Sequence, residues 1–440
     1  MVERGRGNLP AEFTSMIGRA AEVAEGLRAL TRTRLLTVTG PGGVGKSRVG
    51  VRIARHARRR FPGGIWYAEL SAVTGEPALT ARVAAAIGRP QARTAEGIAA
   101  ALRERRALVV LDTCEHLTGP VARLAAVMLR RAPEVKIVVT GRQPLDLAGQ
   151  RLLYVRPLAE ADAVTLFAER AAAVDPDFSL SGGTRAAVAE ICRRLDGLPL
   201  AIELAAACLR SLTAPELRER LRDRWPLLAA GTTSALPRQR DLRAMVEWSH
   251  ALCGAEQRAL WAALSVVGGG FERRTAEAIG VEAGLPRVRV AAVLGDLVAG
   301  SVVLREPMPG GAGYRLLLPY RQVGLELLEA GARRRLTARY GAATAAPVST
   351  PDDGREAGDV VLSPRELQVA RLITEGLTNL EIAGRLVISK RTVDAHVRNI
   401  LAKGHLTSRT HVAAWVTSMG DFSRLIGISP DAGGRVRDEL

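Results

Sequence analysis

Gly40 to Ser47 reads Gly-Pro-Gly-Gly-Val-Gly-Lys-Ser, a G-x-x-x-x-G-K-S spacing. Glycines at these positions let successive backbone N–H groups turn inward around a phosphate, Lys46 can reach the terminal phosphates, and the Ser47 hydroxyl can ligate magnesium. Gly40, Gly42, Gly43, Gly45, Lys46 and Ser47 are therefore the first candidate nucleotide-binding residues. Further along, Ala107-Leu-Val-Val-Leu-Asp112 is an apolar run that ends in a carboxylate. A buried parallel strand with an acid at its C-terminal end is a Walker B strand, which makes Asp112 the expected catalytic carboxylate and the second magnesium ligand beside Ser47. A third run, Val135 to Thr140, leads into Gly141-Arg142. An arginine there can meet the terminal phosphate, although a solvent-facing arginine fits the residues as well.

These residues need a frame. Leu35–Val38 reads as a short buried strand and Arg48–Arg60 as the helix after it, which is the strand-loop-helix context the glycine loop requires. Gly64–Leu70 reads as a further strand and Ala78–Ile87 as a helix. Strands alternating with helices through residue 156 predict a parallel sheet with helices on both faces. From Pro157 the pattern turns to helices alone, over Glu160–Val174, Thr184–Leu195 and Ala201–Leu212, the last preceded by Asp196-Gly-Leu-Pro-Leu200. Ser301–Leu304 and Tyr314–Leu318 flank a Pro-Gly-Gly-Ala-Gly run and predict a hairpin beside further helices.

Gly341–Asp359 is small, polar and proline-containing, as a flexible linker is. Beyond it Ser363 and Glu366 have capping-box spacing for a helix over Pro364–Glu375, followed by helices over Asn379–Leu386 and Lys390–Leu401. Short helices joined by a tight turn predict a helix-turn-helix. Six basic residues against one acid lie between Arg385 and Arg409. On the third helix Arg391, Asp394, Ala395 and Arg398 fall on one face, while Val393, Val397, Ile400 and Leu401 fall on the other.

Composition agrees with this division. The 440 residues are enough for several cores. The net charge of +17 suits an anionic partner, but all except four of the 62 basic residues are arginine, so the local cluster in the third helix says more than the total. Four cysteines without C-x-x-C spacing predict buried thiols in a reducing cytoplasm, not disulfides or a metal site. No signal-peptide core and no apolar run of membrane-spanning length is visible, so no membrane partner is expected.

With these blocks read, the chain resembles LuxR-type helix-turn-helix transcriptional regulators that carry an N-terminal NB-ARC-like (STAND) signal-transduction ATPase. LSPRELQVARLITEGLTNLEIAGRLVISKRTVDAHVRNILAK carries the first likeness. NLPAEFTSMIGR, TGPGGVGKS, LVVLDTCEHL, VVTGRQPL and GLPLAIELAAA carry the second, in the family's order. The resemblance implies a multidomain chain, α/β plus all-α. It comprises a P-loop nucleotide-binding domain over 1–156, a helical domain over 157–235 and a winged-helix-like domain over 236–340. A linker over 341–360, a four-helix LuxR-type DNA-binding domain over 361–420 and a tail over 421–440 complete it.

The resemblance also implies ATP or ADP with magnesium as ligands. Gly18 and Arg19 would lie at the adenine and ribose end, with Pro199 near the adenine and Arg142 as terminal-phosphate sensor. Lys390, Arg391, Thr392, Asp394, Ala395 and Arg398 would face double-stranded promoter DNA, with self-association on DNA and RNA polymerase as further expected contacts. Nucleotide state would control DNA binding or association; a signalling ATPase whose C-terminal helices bind protein is the alternative. Two departures from the family stand out. Thr113 follows Asp112 where a better water-positioning residue is common, so at most slow hydrolysis is expected. Leu317-Leu318-Pro319-Tyr320 replaces a usual Leu-Leu-Glu-Thr, which predicts loss of a polar latch onto bound nucleotide.

Overall fold

The computed structural model describes residues 7–223, 242–308, 311–341, 364–374, 377–386 and 388–403. The chain divides into two compact units between residues 348 and 349.

In the first unit five strands form one sheet: β1 (Leu35–Thr39), β2 (Ile65–Glu69), β3 (Leu108–Asp112), β4 (Lys136–Thr140) and β5 (Gln150–Tyr154). Their order is β2-β3-β4-β1-β5 and every neighbouring pair is parallel. β1 and β3 are buried at every position, which is why they read in the sequence as unbroken apolar runs. β5 was not anticipated. It is an edge strand in which only Leu153 is buried, so neither an apolar run nor a clean alternation announces it.

Helices Ala20–Arg32 and Lys46–His56 bury one face of the sheet through Val23, Leu30, Val49 and Ile53 against Leu36, Val38 and Val110. Helices Gly75–Ala86, Ala95–Leu102 and Thr118–Arg131 bury the other through Leu79, Val83, Ile98 and Leu124 against Leu35, Val109 and Ile137. The carboxyl ends of β1, β3 and β4 therefore emerge side by side, the place where open parallel sheets hold their ligands.

Helices Glu160–Ala172, Gly182–Arg194, Pro199–Ala207 and Ala214–Asp223 follow. Then come Leu242–Ala251, Ala255–Leu264, Arg273–Glu282 and Arg287–Ala299, a hairpin of β6 (Val303–Met308) and β7 (Gly311–Leu316), and helices Leu318–Leu327 and Ala330–Tyr340. The hairpin is tighter than the sequence suggests, with Met308 paired to Gly311, so most of the glycine-rich run is strand. Gly313 has a steric reason to be glycine: a Cβ there would meet Met308 Sδ. One hydrophobic cluster runs from Val23 and Leu36 through Ile202 and Leu217 to Trp261, Val303 and Tyr320. The segments expected as nucleotide-binding, helical and winged-helix domains share that core.

The second unit holds helices Pro364–Thr374, Asn379–Leu386 and Lys390–Lys403 around Val369, Ile373, Ile382, Val393, Val397 and Ile400. Ser363 of the expected capping box, the linker over 342–360, the expected fourth helix and the tail lie outside the described residues. Among the described residues no helix is long and apolar enough to cross a membrane.

Candidate nucleotide site and DNA-reading helix

The loop after β1 is shaped by glycines in the left-handed region: Gly40, Gly43 and Gly45 have φ of 148°, 74° and 96°. Gly40 also has no room for a side chain, because a Cβ would lie 2.4 Å from the Val155 carbonyl oxygen. Gly45 starts the helix Lys46–His56, whose N-terminal N–H groups and dipole favour an anion. The Lys46 ammonium is folded back onto its own loop, donating to the carbonyls of Gly40 at 3.0 Å and Pro41 at 2.9 Å. Burial lowers its pKa to about 8, with Glu115 opposing the shift and Arg142 adding to it.

Beside the loop lies a cavity of about 550 Å³. Gly42, Gly43, Gly45, Lys46, Ser47, Arg142 and Pro199 line it, whereas Gly18, Arg19, Gly40 and Asp112 are not among its lining residues. Arg19 acts from behind: it is buried, pairs with Glu22 at 2.7 Å and donates to the Val44 carbonyl at 3.0 Å, so it braces the loop. Gly18 has φ of 67° and packs where a Cβ would run into Asp162. Pro199 opens its helix at the first turn. The next residue, Leu200, donates its N–H to the Gly43 carbonyl at 3.1 Å, which ties the Gly-Leu-Pro-Leu segment to the loop.

Asp112 is buried at the end of β3, with both carboxylate oxygens engaged. One accepts the Thr140 hydroxyl; the other accepts the Tyr67 hydroxyl at 2.8 Å and the Thr113 hydroxyl at 3.3 Å. Burial beside Asp112 pushes the Tyr67 phenol up, so it stays a donor. Thr113 takes a left-handed conformation, φ 61°, and its N–H donates to Thr140 Oγ1 at 3.0 Å. Glu115, which the sequence reading passed over, lines the cavity in its place. Its Oε2 is buried with no hydrogen-bond partner among the described residues. The signal was a second carboxylate three positions after Asp112.

Arg142 is 5% exposed and is held by the helix Leu242–Ala251. It donates to Ser249 Oγ and to the Met245 carbonyl at 3.3 Å, and its Nε lies 3.7 Å from Glu115 Oε1. Ser301 in turn donates to the Arg142 carbonyl at 2.8 Å. Tyr320 completes this roof. The Gly42 N–H donates to its phenolic oxygen at 2.8 Å, and the ring is fully buried against Trp261 with centroids 5.6 Å apart. Tyr320, within the Leu317–Tyr320 departure where a latch onto bound nucleotide is expected to be lost, is a polar contact to the loop itself. Asp196 adds a link by accepting from the Arg315 guanidinium and the Leu318 N–H.

These residues fit a nucleotide and magnesium. Loop glycines, an ammonium, a helix N-terminus, a hydroxyl at Ser47 and an unpartnered Glu115 oxygen line one cavity, and a Cβ at Gly42 would have no room.

In the second unit Ser389 starts the third helix: its hydroxyl accepts the Thr392 N–H at 3.1 Å and lies 2.8 Å from Thr392 Oγ1. Lys390, Thr392 and Ala395 are exposed. Asp394, expected to face DNA, is engaged within the module. It accepts from Asn379 Nδ2 at 2.7 Å and from Lys390 Nζ at 3.4 Å, tying the second helix to the third. Arg391 and Arg398 lie on the third helix; their side chains are outside the described residues.

A family of bacterial regulatory proteins, the luxR family, matches residues 360–416. An uncharacterized protein of Mycobacterium tuberculosis is 38% identical over 334 residues, which are 74% of this chain and 85% of that protein. Another protein of that species, named "Putative HTH-type transcriptional regulator", is 38% identical over 331 residues, 74% of this chain but 37% of its own length. Among solved structures, a Walker-type ATPase of Pyrococcus abyssi matches with a TM-score of 0.51 at 15% identity, covering 72% of this chain and 99% of that one. That likeness is one of fold.

Proposed function

Since the chain belongs to the LuxR-type helix-turn-helix transcriptional regulators that carry an N-terminal P-loop ATPase fold, we propose that it is a nucleotide-switched member of them. ATP and ADP are its ligands, in the manner of NB-ARC-like ATPases, and double-stranded promoter DNA in the cytoplasm is its partner. The observation that carries this reading is the roof over the phosphate loop, where Tyr320 takes the Gly42 N–H and Ser249 and Met245 take the Arg142 guanidinium.

The Lys46 ammonium, which serves the terminal phosphates in loops of this kind, sits on the Gly40 and Pro41 carbonyls next to Gly42. Tyr320, Met245 and Arg142 therefore crowd the terminal-phosphate end. A Cβ on Gly42 would lie 2.2 Å from Met245 Sδ and 2.9 Å from both Arg142 Nη2 and Tyr320 Oη. The closed form supports a diphosphate. Room for a third phosphate opens when the helix Leu242–Ala251 and Tyr320 withdraw, which also frees the Arg142 guanidinium from Ser249 and Met245 for that phosphate. Bound magnesium would supply charge neutralisation between phosphates, with Ser47 and Glu115 as the oxygens facing the cavity and Asp112 behind them. With Thr113 turned onto Asp112, hydrolysis is slow and serves to reset the switch.

Opening would favour association of copies on DNA, where two linked reading helices gain effective concentration. Gel shifts of the intact chain on its genomically mapped DNA, at one salt concentration, test the proposal. Tighter binding with ATP than with ADP is expected. Equal affinity with ATP, ADP and no nucleotide would overturn nucleotide control, and absence of any salt-dependent DNA binding would leave the C-terminal module a protein-binding one.

A further inference from the structure

A second cavity, of about 560 Å³, lies between β5 at the sheet edge and β6 of the hairpin. Its origin is topological. The three helices that cover one face of the sheet pack on β2, β3, β4 and Leu35 of β1, and their core includes no residue of β5. β5 keeps Leu152 and Tyr154 on that face, 44% and 39% exposed, because Leu153 between them points into the opposite core. Val298, at the end of the helix Arg287–Ala299, and Val303 of β6 supply the facing apolar surface.

The polar groups are unbalanced. Arg156 and Arg305 both line the cavity, both are exposed, and neither has a hydrogen-bond or ion-pair partner among the described residues. Among the described residues the one carboxylate in the lining, Glu306, is already paired with Arg315 at 2.8 Å. An apolar floor and wall with two exposed, uncommitted guanidinium groups select an apolar organic molecule bearing a carboxylate, sulfonate or phosphate. The volume suits a molecule of metabolite size.

We propose that this cavity is an effector site for a small amphipathic organic anion. Its position couples it to the phosphate loop at two points. Thr39, in the lining, is the residue before Gly40. Ser301, also in the lining, donates to the Arg142 carbonyl. An occupant spans β5 and the β6 hairpin, so it bears directly on whether the roof residues stay over the loop.

Anilinonaphthalene sulfonate, an apolar ring system with one anionic group, is the probe, titrated by fluorescence into the intact chain with and without ADP. Saturable binding is expected, and Arg156→Ala with Arg305→Ala should weaken it roughly tenfold. The same pair should leave binding of uncharged N-phenylnaphthylamine unchanged, and Val298→Trp, which fills the cavity, should remove both. The two arginines are exposed, so their loss does not threaten the fold. Sulfonate binding that is insensitive to the arginine pair, or that ADP displaces competitively, would overturn the proposal. Calorimetric ADP binding by the same variants reports separately on the nucleotide site, so failure of one assignment is distinguishable from failure of the other.

Discussion

The Lys46 ammonium and the Tyr320 hydroxyl both engage the phosphate loop, and each group can be removed without taking apolar bulk from the core. Lys46→Ala should weaken ADP binding roughly tenfold to a hundredfold, since hydrogen bonds to charged groups contribute about 1.5–3 kcal/mol, with unchanged helix content by circular dichroism. Calorimetry that finds wild-type affinity would remove the loop from the site. Tyr320→Phe acts in the opposite direction. It keeps the ring on Trp261 but deletes the oxygen that accepts the Gly42 N–H. Loss of one such bond, about 1 kcal/mol, should raise the ATP affinity relative to ADP about fivefold, measured by paired titrations; an unchanged ratio would show that the phenol does not guard the terminal-phosphate end. The two residues also mark what the sequence could show. Lys46 is legible because its chemistry depends on neighbours within eight positions, whereas Tyr320 reaches Gly42 across 278 positions and looked like a lost motif. Glu115 is illegible for a related reason: nothing in the sequence says that Thr113 turns back onto Asp112 and leaves Glu115 to face the cavity.

At the level of elements, strands that end in chemistry were readable and strands that end a sheet were not. β1, β3 and β4 are nearly all buried and so are written in Leu, Val and Ile, while β5 displays Leu152 and Tyr154 and reads as loop. The third helix of the C-terminal unit shows the same limit. Its apolar face, Val393, Val397 and Ile400, is in the core as its spacing required, while its polar face also carries a contact within the module. Asp394 holds Asn379 of the preceding helix. Asp394→Ala should therefore loosen the helix pair, by about 1 kcal/mol for one part-buried hydrogen bond. Amides of residues 390–403 in the intact chain should then exchange roughly fivefold faster. Protection equal to wild type would return Asp394 to the DNA face. Lys390, with its side chain 60% exposed, is the contrasting case. Lys390→Ala should weaken binding to all DNA sequences alike and reduce the salt slope by about one, as loss of a single phosphate contact does.

For the whole molecule, the shared hydrophobic core makes the first unit a single body whose parts meet at the loop through few polar contacts. Those that reach from the region after Leu242 toward the nucleotide site join Tyr320 to Gly42, Ser249, Met245 and Ser301 to Arg142, and Arg315 with Leu318 to Asp196. If they hold the closed form, their sum sets how strongly nucleotide state can shift the population. A tenfold ATP-over-ADP preference in DNA binding needs only about 1.4 kcal/mol of coupling, the size of one or two such bonds. Tyr320→Phe combined with Ser249→Ala removes two of these while sparing Asp196, which also holds the Arg315 guanidinium and the Leu318 N–H. Both substitutions keep the buried apolar bulk, so the fold should persist. With the closed form weakened, the double variant should bind DNA with ADP nearly as tightly as wild type does with ATP, and its ATP-to-ADP affinity ratio should fall below about twofold. Gel shifts at one salt concentration measure both numbers. A variant that retains the full wild-type ratio would show that the roof over the phosphate loop is not the element through which nucleotide governs DNA binding.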